Sequence, residues 1–302
     1  MSVKYKIIRW FLKTTGFKNR GTMSADEIIA LKKEKNAKVG IPKLKDATMQ
    51  IMQIDVCGFP VLKMTHRGKA ENANLFITGG GMVSAPQPGM VKRALRFAKE
   101  TGLDVYFPYY PLCTDYPLTK AYEMILATYQ TMLTEYDADN ISLLGGSSGG
   151  NLALGMIAYM NATGSTLPKP GYLVALSPGA CAVTEAEEKH INELDEKDFL
   201  VSASYIRTAA EVMRHGSDDV PDYMIFLQNG DYTGCPKTTF FYGTDEVLYA
   251  LAPSFDAAMN RYGVPHEMIV GEGMFHCYPL FPIVKEGKNG WKQLIETVKR
   301  NA

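Results

Sequence analysis

Asn140-Ile-Ser-Leu-Leu-Gly-Gly-Ser-Ser-Gly-Gly-Asn-Leu-Ala-Leu154 carries an apolar run straight into a glycine-framed serine and out again into a helix-forming stretch. Residues 141–144 suit a short buried parallel strand, and residues 152–160, rich in Ala, Leu and Met, suit a helix. A serine at such a strand-to-helix turn is lifted clear of its own backbone. Small residues two before and two after it let strand and helix approach closely. At Ser147 those residues are Gly145 and Gly149. Gly146-Ser-Ser-Gly-Gly150 fits the same pattern one residue later and would make Ser148 the nucleophile. Ser147 is favoured because it follows the strand end by fewer residues and leaves the Ser148 backbone N–H to donate to an oxyanion.

Outward from this turn, apolar strand-like runs alternate with helix-like stretches. Residues 48–56 and 59–65 read as a hairpin turning at Cys57-Gly58. Strands are then expected at 74–78, 103–107, 141–144, 172–176, 238–242 and 266–270, and helices at 90–101, 118–136, 254–262 and from Trp291 onward. Strands spaced by helices argue for an α/β fold with a mostly parallel central sheet and helices on both faces. Two segments fall outside the alternation. Residues 1–45 contain a helix opened by a Ser24-x-x-Glu27 capping box, and residues 178–236 form a long insertion with a helix near 202–215. Residues 46–177 and 237–302 are therefore expected to form the core, with 1–45 and 178–236 as a helical cap over the carboxyl ends of the strands.

A serine hydroxyl is a weak nucleophile at neutral pH, so the turn has meaning only with a base and an orienting acid downstream. In α/β-hydrolases the order along the chain is Ser, then Asp or Glu, then His. Asp245 follows the strand at 238–242 in Phe-Tyr-Gly-Thr-Asp245-Glu246, and His276 follows the strand at 266–270 in a glycine-rich loop. Asp245 is preferred as the acid because it lies two residues after Gly243. Its neighbour Glu246 is the alternative, otherwise read as an acid at a helix N-terminus. Of the five histidines, His276 alone sits where this order needs a base. Thr78-Gly-Gly-Gly81, at the end of the strand at 74–78, supplies exposed backbone N–H groups for an oxyanion. It lacks the Lys-Ser/Thr of a P-loop and the spacing of a dinucleotide fingerprint.

Composition sets the remaining limits. Lys+Arg and Asp+Glu balance at 32 each, so no nucleic-acid surface is implied, and the lysines between 32 and 45 read as a solvated face. No stretch reaches the roughly 18 apolar residues of a membrane span. The cluster Ile7-Ile8-Arg9-Trp10-Phe11-Leu12 is broken by Arg9 and precedes no small-residue cleavage site, so it does not read as a signal peptide. Trp10 and Phe11 are expected to pack on the cap, with the partner of a homodimer as the alternative. Five cysteines without a C-x-x-C suit a reducing compartment, and a soluble, cytoplasmic protein is expected. No H-e-x-x-H or clustered Cys/His set is present, and no metal or organic cofactor is called for.

Taken in order, Thr78-Gly-Gly-Gly-Met82, Tyr110-Pro-Leu-Cys-Thr-Asp-Tyr-Pro117, Gly145-Gly-Ser-Ser-Gly-Gly-Asn-Leu-Ala153, Ser177-Pro178, Gly243-Thr-Asp245 and Gly273-Met-Phe-His276 resemble the hormone-sensitive-lipase-like esterases of the α/β-hydrolase fold. The resemblance covers most of residues 46–302. It implies that Ser147 is the nucleophile, that Asp245 and His276 complete a triad, and that Gly80, Gly81 and Ser148 donate the oxyanion hydrogen bonds. The chain departs from the family where Thr78 stands for a histidine, Gly146 for an aspartate before the nucleophile, and Pro111, Cys113 and Thr114 alter the segment around Asp115. Those residues usually brace loops, so the departures bear on the rigidity of the oxyanion loop. The implied activity is hydrolysis of a small to medium, largely uncharged acyl ester through an acyl-enzyme. The alternatives are a peptidase or amidase with the same residues, or a noncatalytic ligand-binding homologue.

Overall fold

Cys57 and Gly58 both adopt positive φ, at 54° and 84°, which is what a two-residue hairpin turn demands. They join antiparallel strands β1 (Met49–Val56) and β2 (Phe59–His66). Six further strands follow: β3 (Ala73–Ile77), β4 (Asp104–Pro108), β5 (Ile141–Gly146), β6 (Tyr172–Leu176), β7 (Lys237–Gly243) and β8 (His266–Gly271). The computed structural model describes residues 1–15, 18, 23–68 and 70–301, and within them the eight strands form one sheet in the order β1-β2-β4-β3-β5-β6-β7-β8. β4 pairs antiparallel with β2, and every neighbouring pair from β4 to β8 is parallel. This is an α/β-hydrolase arrangement.

The helices are α1 (Val3–Thr14), α2 (Ala25–Asn36), α3 (Pro88–Thr101), α4 (Leu118–Met132), α5 (Ser148–Ala162), α6 (Glu185–Asp195), α7 (Ala203–Arg214), α8 (Asp222–Ile225), α9 (Ala252–Arg261) and α10 (Lys285–Asn301). Successive strand residues bury on opposite faces, as the two-residue period requires. Leu75, Leu143 and Phe240 join α4, α5 and α9 in one apolar cluster, whereas Phe76, Leu144 and Phe241 join α3 and α10 in the other. Phe76 lies edge-on to Phe97 of α3 and stacks on Phe107 of β4, so truncating it to alanine should cost about 3–5 kcal/mol.

The expected elements outside the alternation are present, with two differences. The capping box at Ser24 and Glu27 forms in both directions and opens α2, which packs on α7. The insertion holds a further helix, α6, opened by its own reciprocal box between Thr184 and Glu187. The second difference is α1. Trp10 and Phe11 were expected to pack against the cap, yet they are 67% and 56% exposed. The helix docks through its opposite face, where Tyr5, Ile8 and Leu12 meet Phe199, Met274, Phe275, Tyr278 and Val284. Among the described residues no helix is long and apolar enough to cross a membrane.

Candidate active site

The chain runs from β3 to β4 on one side of β3 and then returns to β5 on the other, so the sheet changes direction between β3 and β5. Loops leaving neighbouring strands diverge at such a point and leave a crevice at the carboxyl ends. Ile77 pairs with Gly145 there, which places Thr78-Gly-Gly-Gly81 beside the turn at Ser147. A Cβ on Gly79 would lie 2.6 Å from the Gly146 carbonyl oxygen and 2.8 Å from Ser147 Cβ, so only glycine lets the two loops come this close.

Ser147 has φ 55° and ψ −124°, a conformation that costs a residue with a side chain on the order of 1–3 kcal/mol. The surroundings enforce it. Its N–H donates to the Leu176 carbonyl at 2.8 Å, and its carbonyl accepts from Gly179 N–H at 2.9 Å. The framing glycines are required on both sides: a Cβ on Gly145 would sit 2.1 Å from the Gly149 oxygen, and one on Gly149 would sit 2.1 Å from the Ile77 oxygen. Ser148 is the first residue of α5 and is buried, so the strained position is Ser147. Met82, Ser177 and Cys277 also have positive φ, at 62°, 45° and 51°, which concentrates backbone strain around this crevice.

The oxyanion loop is held by its carbonyls. Gly80 O accepts from Val83 N–H and Ser84 N–H, and Gly81 O accepts from the Tyr205 hydroxyl of α7. The N–H groups of Gly80 and Gly81 make no backbone hydrogen bond among the described residues. Thr78 is buried, and its carbonyl accepts from the Tyr110 hydroxyl at 3.0 Å, while the same hydroxyl lies 3.4 Å from Ser148 Oγ. Tyr110 thus ties the oxyanion loop to the start of α5, and burial pushes its own pKa up to about 12. At Gly146 a Cβ would lie 2.8 Å from Leu280 Cδ1, so a leucine occupies the space a larger residue would need.

His276 leaves β8 on the expected loop and is buried. Its partner is not the expected Asp245. Nδ1 of His276 lies 2.5 Å from Oε2 of Glu246, and the other carboxylate oxygen accepts from Gly243 N–H and Ser177 Oγ–H, each at 2.7 Å. Asp245 pairs instead with Arg9 of α1 at 2.5 Å. The physical reason lies in the turn after β7: Asp245 N–H is fixed to the Met274 carbonyl, and α1 supplies a cation for its side chain. Glu246, fully buried, has a chain long enough to fold back on Gly243 and reach the imidazole. Burial opposes the imidazolium, but the adjacent Cys277 and then Glu246 outweigh it, and the His276 pKa is held well above the ordinary histidine value. Nε2 has Cys277 Sγ at 3.7 Å, and no hydrogen bond joins it to Ser147 Oγ among the described residues. Catalytic hydrogen bonds are often long in free enzymes and tighten when substrate binds.

Sequence reasoning passed over two further residues here. Ser177, quoted above only within a dipeptide, accepts from Cys277 N–H at 3.1 Å while donating to Glu246, and so links the acid and base loops. Asp198, from the long insertion, is buried and accepts from Val247 N–H at 2.9 Å, which fixes the residue after Glu246. Burial raises its pKa, with His276 pulling the other way. Spacing in the sequence carries no signal for either contact.

Ser147, Ser148, Gly80 and Gly81 line a cavity of about 490 Å³ whose opposite wall comes from α2 and α7, including Ile28, Tyr205 and Met213. Among the described residues its charged lining consists of Lys18, Lys32 and Lys35, with no carboxylate. Lys18 is paired with Asp195 at 2.7 Å, whereas Lys32 Nζ donates to Ser84 Oγ at 3.0 Å. Burial and the neighbouring Lys35 push the Lys32 pKa down.

Over 238 residues the chain is 24% identical to a triacylglycerol lipase of Mycobacterium tuberculosis, a match covering 78% of this chain and 48% of the lipase. It is 22% identical over 240 residues to an esterase of Acinetobacter venetianus, covering 78% of this chain and 77% of that protein. The chain thus spans about half the length of the first of these relatives. The crystal structure of an esterase from the bacterial hormone-sensitive lipase family superposes with a TM-score of 0.80 at 20% identity, over 100% of this chain and 99% of that one. At that identity the likeness is one of fold. Residues 74–280, which run from the strand before the oxyanion loop to just beyond His276, match the alpha/beta hydrolase fold family, and the chain belongs to that family.

Proposed function

We propose that this protein is a serine carboxylesterase that hydrolyses small to medium acyl esters. The observation that carries the reading is the strained Ser147 backbone in a cavity wall shared with Gly80 and Gly81, together with a buried His276 held by Glu246. Family membership, and the esterase and lipase names of the relatives, support the same class of chemistry. Residues 46–177 and 237–302 act as the catalytic core, and 1–45 with 178–236 as the cap that shapes the pocket. The site lies in a cytoplasmic enzyme, a location that suits its five free thiols.

In the proposed reaction Nε2 of His276 takes the Ser147 hydroxyl proton as Oγ bonds to the acyl carbon. Glu246 keeps the proton on Nδ1 and offsets the charge of the imidazolium. The amides of Gly80, Gly81 and Ser148 hold the oxyanion. Collapse of the tetrahedral species breaks the acyl–oxygen bond, and the departing alcohol takes the proton from Nε2. Water then attacks the acyl-enzyme with the same base, releasing the acid and restoring Ser147.

Hydrolysis of p-nitrophenyl esters from acetate to palmitate by wild type, Ser147→Ala and Ser148→Ala tests the reading. Turnover of the shorter esters that vanishes in Ser147→Ala and survives in Ser148→Ala is expected. Activity that disappears only in Ser148→Ala would shift the nucleophile by one residue. A wild type that hydrolyses no ester would leave a ligand-binding role.

A further inference from the structure

The first acidic residue of the chain is Asp26, and before it stand Lys4, Lys6, Arg9, Lys13, Lys18 and Arg20, in a protein whose charges balance overall at 32 of each sign. Helix α1 falls in this basic segment and contains no acid. At about 100° per residue, Val3, Ile7, Trp10 and Phe11 fall on one arc about 100° wide. All four are exposed, at 73%, 59%, 67% and 56%. They account for four of the large apolar side chains that the described surface leaves open, and Met1 beside them is a fifth. Lys4 borders one side of the arc and Lys6 the other, both exposed. The opposite face is already occupied, through Tyr5, Ile8 and Leu12.

We infer that α1 is an interfacial helix whose outer face binds the surface of a bilayer rich in anionic phospholipid. A helix with a tryptophan-bearing apolar arc edged by lysines matches such a surface, since the arc enters the acyl boundary while the ammonium groups stay at the headgroups. Charge chooses this occupant over a second copy of the chain. Two such helices laid face to face would bring basic margins together with no acid on either, whereas anionic headgroups complement both margins. The helix is rigidly seated for the task. Tyr5 OH donates to the Gly273 carbonyl at 2.9 Å, Ser2 Oγ donates to Glu286 at 2.8 Å, and Arg9 holds Asp245, so the lipid-facing arc is fixed to the loops carrying Glu246 and His276.

The full chain should co-sediment with phosphatidylglycerol vesicles and much less with phosphatidylcholine vesicles. Brominated lipid should quench Trp10, read in a Trp291→Phe background. Trp10→Ser/Phe11→Ser and Lys4→Glu/Lys6→Glu should each lower the partition constant on the anionic vesicles about tenfold or more, the second pair also abolishing the dependence on lipid charge. Melting temperature and p-nitrophenyl butyrate hydrolysis without lipid should stay near wild type, because none of these side chains touches the site. No sedimentation with anionic vesicles, or sedimentation indifferent to the apolar pair, overturns the inference. So does a wild-type dimer in lipid-free solution that Trp10→Ser/Phe11→Ser converts to monomer, since a second copy would then cover the face. The result does not depend on esterase activity, so the two readings fail separately.

Discussion

Nδ1 of His276 lies 2.5 Å from a Glu246 carboxylate whose other oxygen is bonded to Gly243 N–H and Ser177, while the adjacent Asp245 is held by Arg9 at 2.5 Å. Neighbouring acids therefore have separate tasks. One is buried against the imidazole, and the other fastens α1 to the turn.

Glu246→Gln keeps the shape of the side chain but removes the charge that stabilises the imidazolium. It should lower kcat about 10³-fold or more, by analogy with orienting carboxylates in other triads. Asp245→Asn should lower kcat by less than about tenfold, because the Asp245 carboxylate pairs with Arg9 and not with the imidazole. Steady-state kinetics on one short ester decides between them. The reverse ranking would restore Asp245 as the acid.

The raised His276 pKa sets the pH dependence. The base must be neutral to accept a proton, so kcat/KM should rise with pH through a midpoint above 6.5, the ordinary histidine value. The stability contribution has the opposite course. With the folded pKa above the unfolded one, it is fully present below the unfolded value and is lost as pH rises through the folded value. Glu246→Gln should move the kinetic midpoint down, since burial then acts with less opposition. Initial rates from pH 5 to 10 on both proteins supply the comparison, and an unmoved midpoint would separate His276 from that carboxylate.

Gly149→Ala should destabilise the protein by about 3 kcal/mol or more and abolish activity. The new methyl group would meet the Ile77 carbonyl at 2.1 Å, and backbone cannot rotate away as a side-chain tip can. Gly89→Ala is the control, because nothing lies within 4 Å of its Cβ position. Denaturant melts of both variants read the difference.

Lys32, which lines the cavity and donates only to Ser84 Oγ among the described residues, should favour esters that carry a terminal carboxylate. At equal chain length such an ester should show a KM about fivefold lower than its neutral analogue, corresponding to about 1 kcal/mol for a partly exposed pair. Lys32→Met should erase that preference with little change in kcat for neutral esters. A preference that survives in Lys32→Met would place its origin elsewhere.

The β5–α5 turn was legible in the sequence because its constraint is local: Gly145 and Gly149 must be glycine for the reasons the structure shows. His276 was legible from chain order. The choice between Asp245 and Glu246 was not, because it depends on Arg9, which tertiary structure brings from the far end of the chain. Helix α6 carries in Thr184-x-x-Glu187 the same local capping signal that Ser24-x-x-Glu27 gives α2. Trp10 and Phe11 follow a helical spacing that predicts an apolar face, and that spacing is silent on which face a neighbour covers.

The most direct test of the account is where an active-site label lands. After reaction with a fluorophosphonate and digestion, mass spectrometry should find one adduct, on Ser147, with none on Ser148 and none in His276→Ala. An adduct on any other residue, or an unlabelled wild type, would contradict the assignment of Ser147 as the nucleophile.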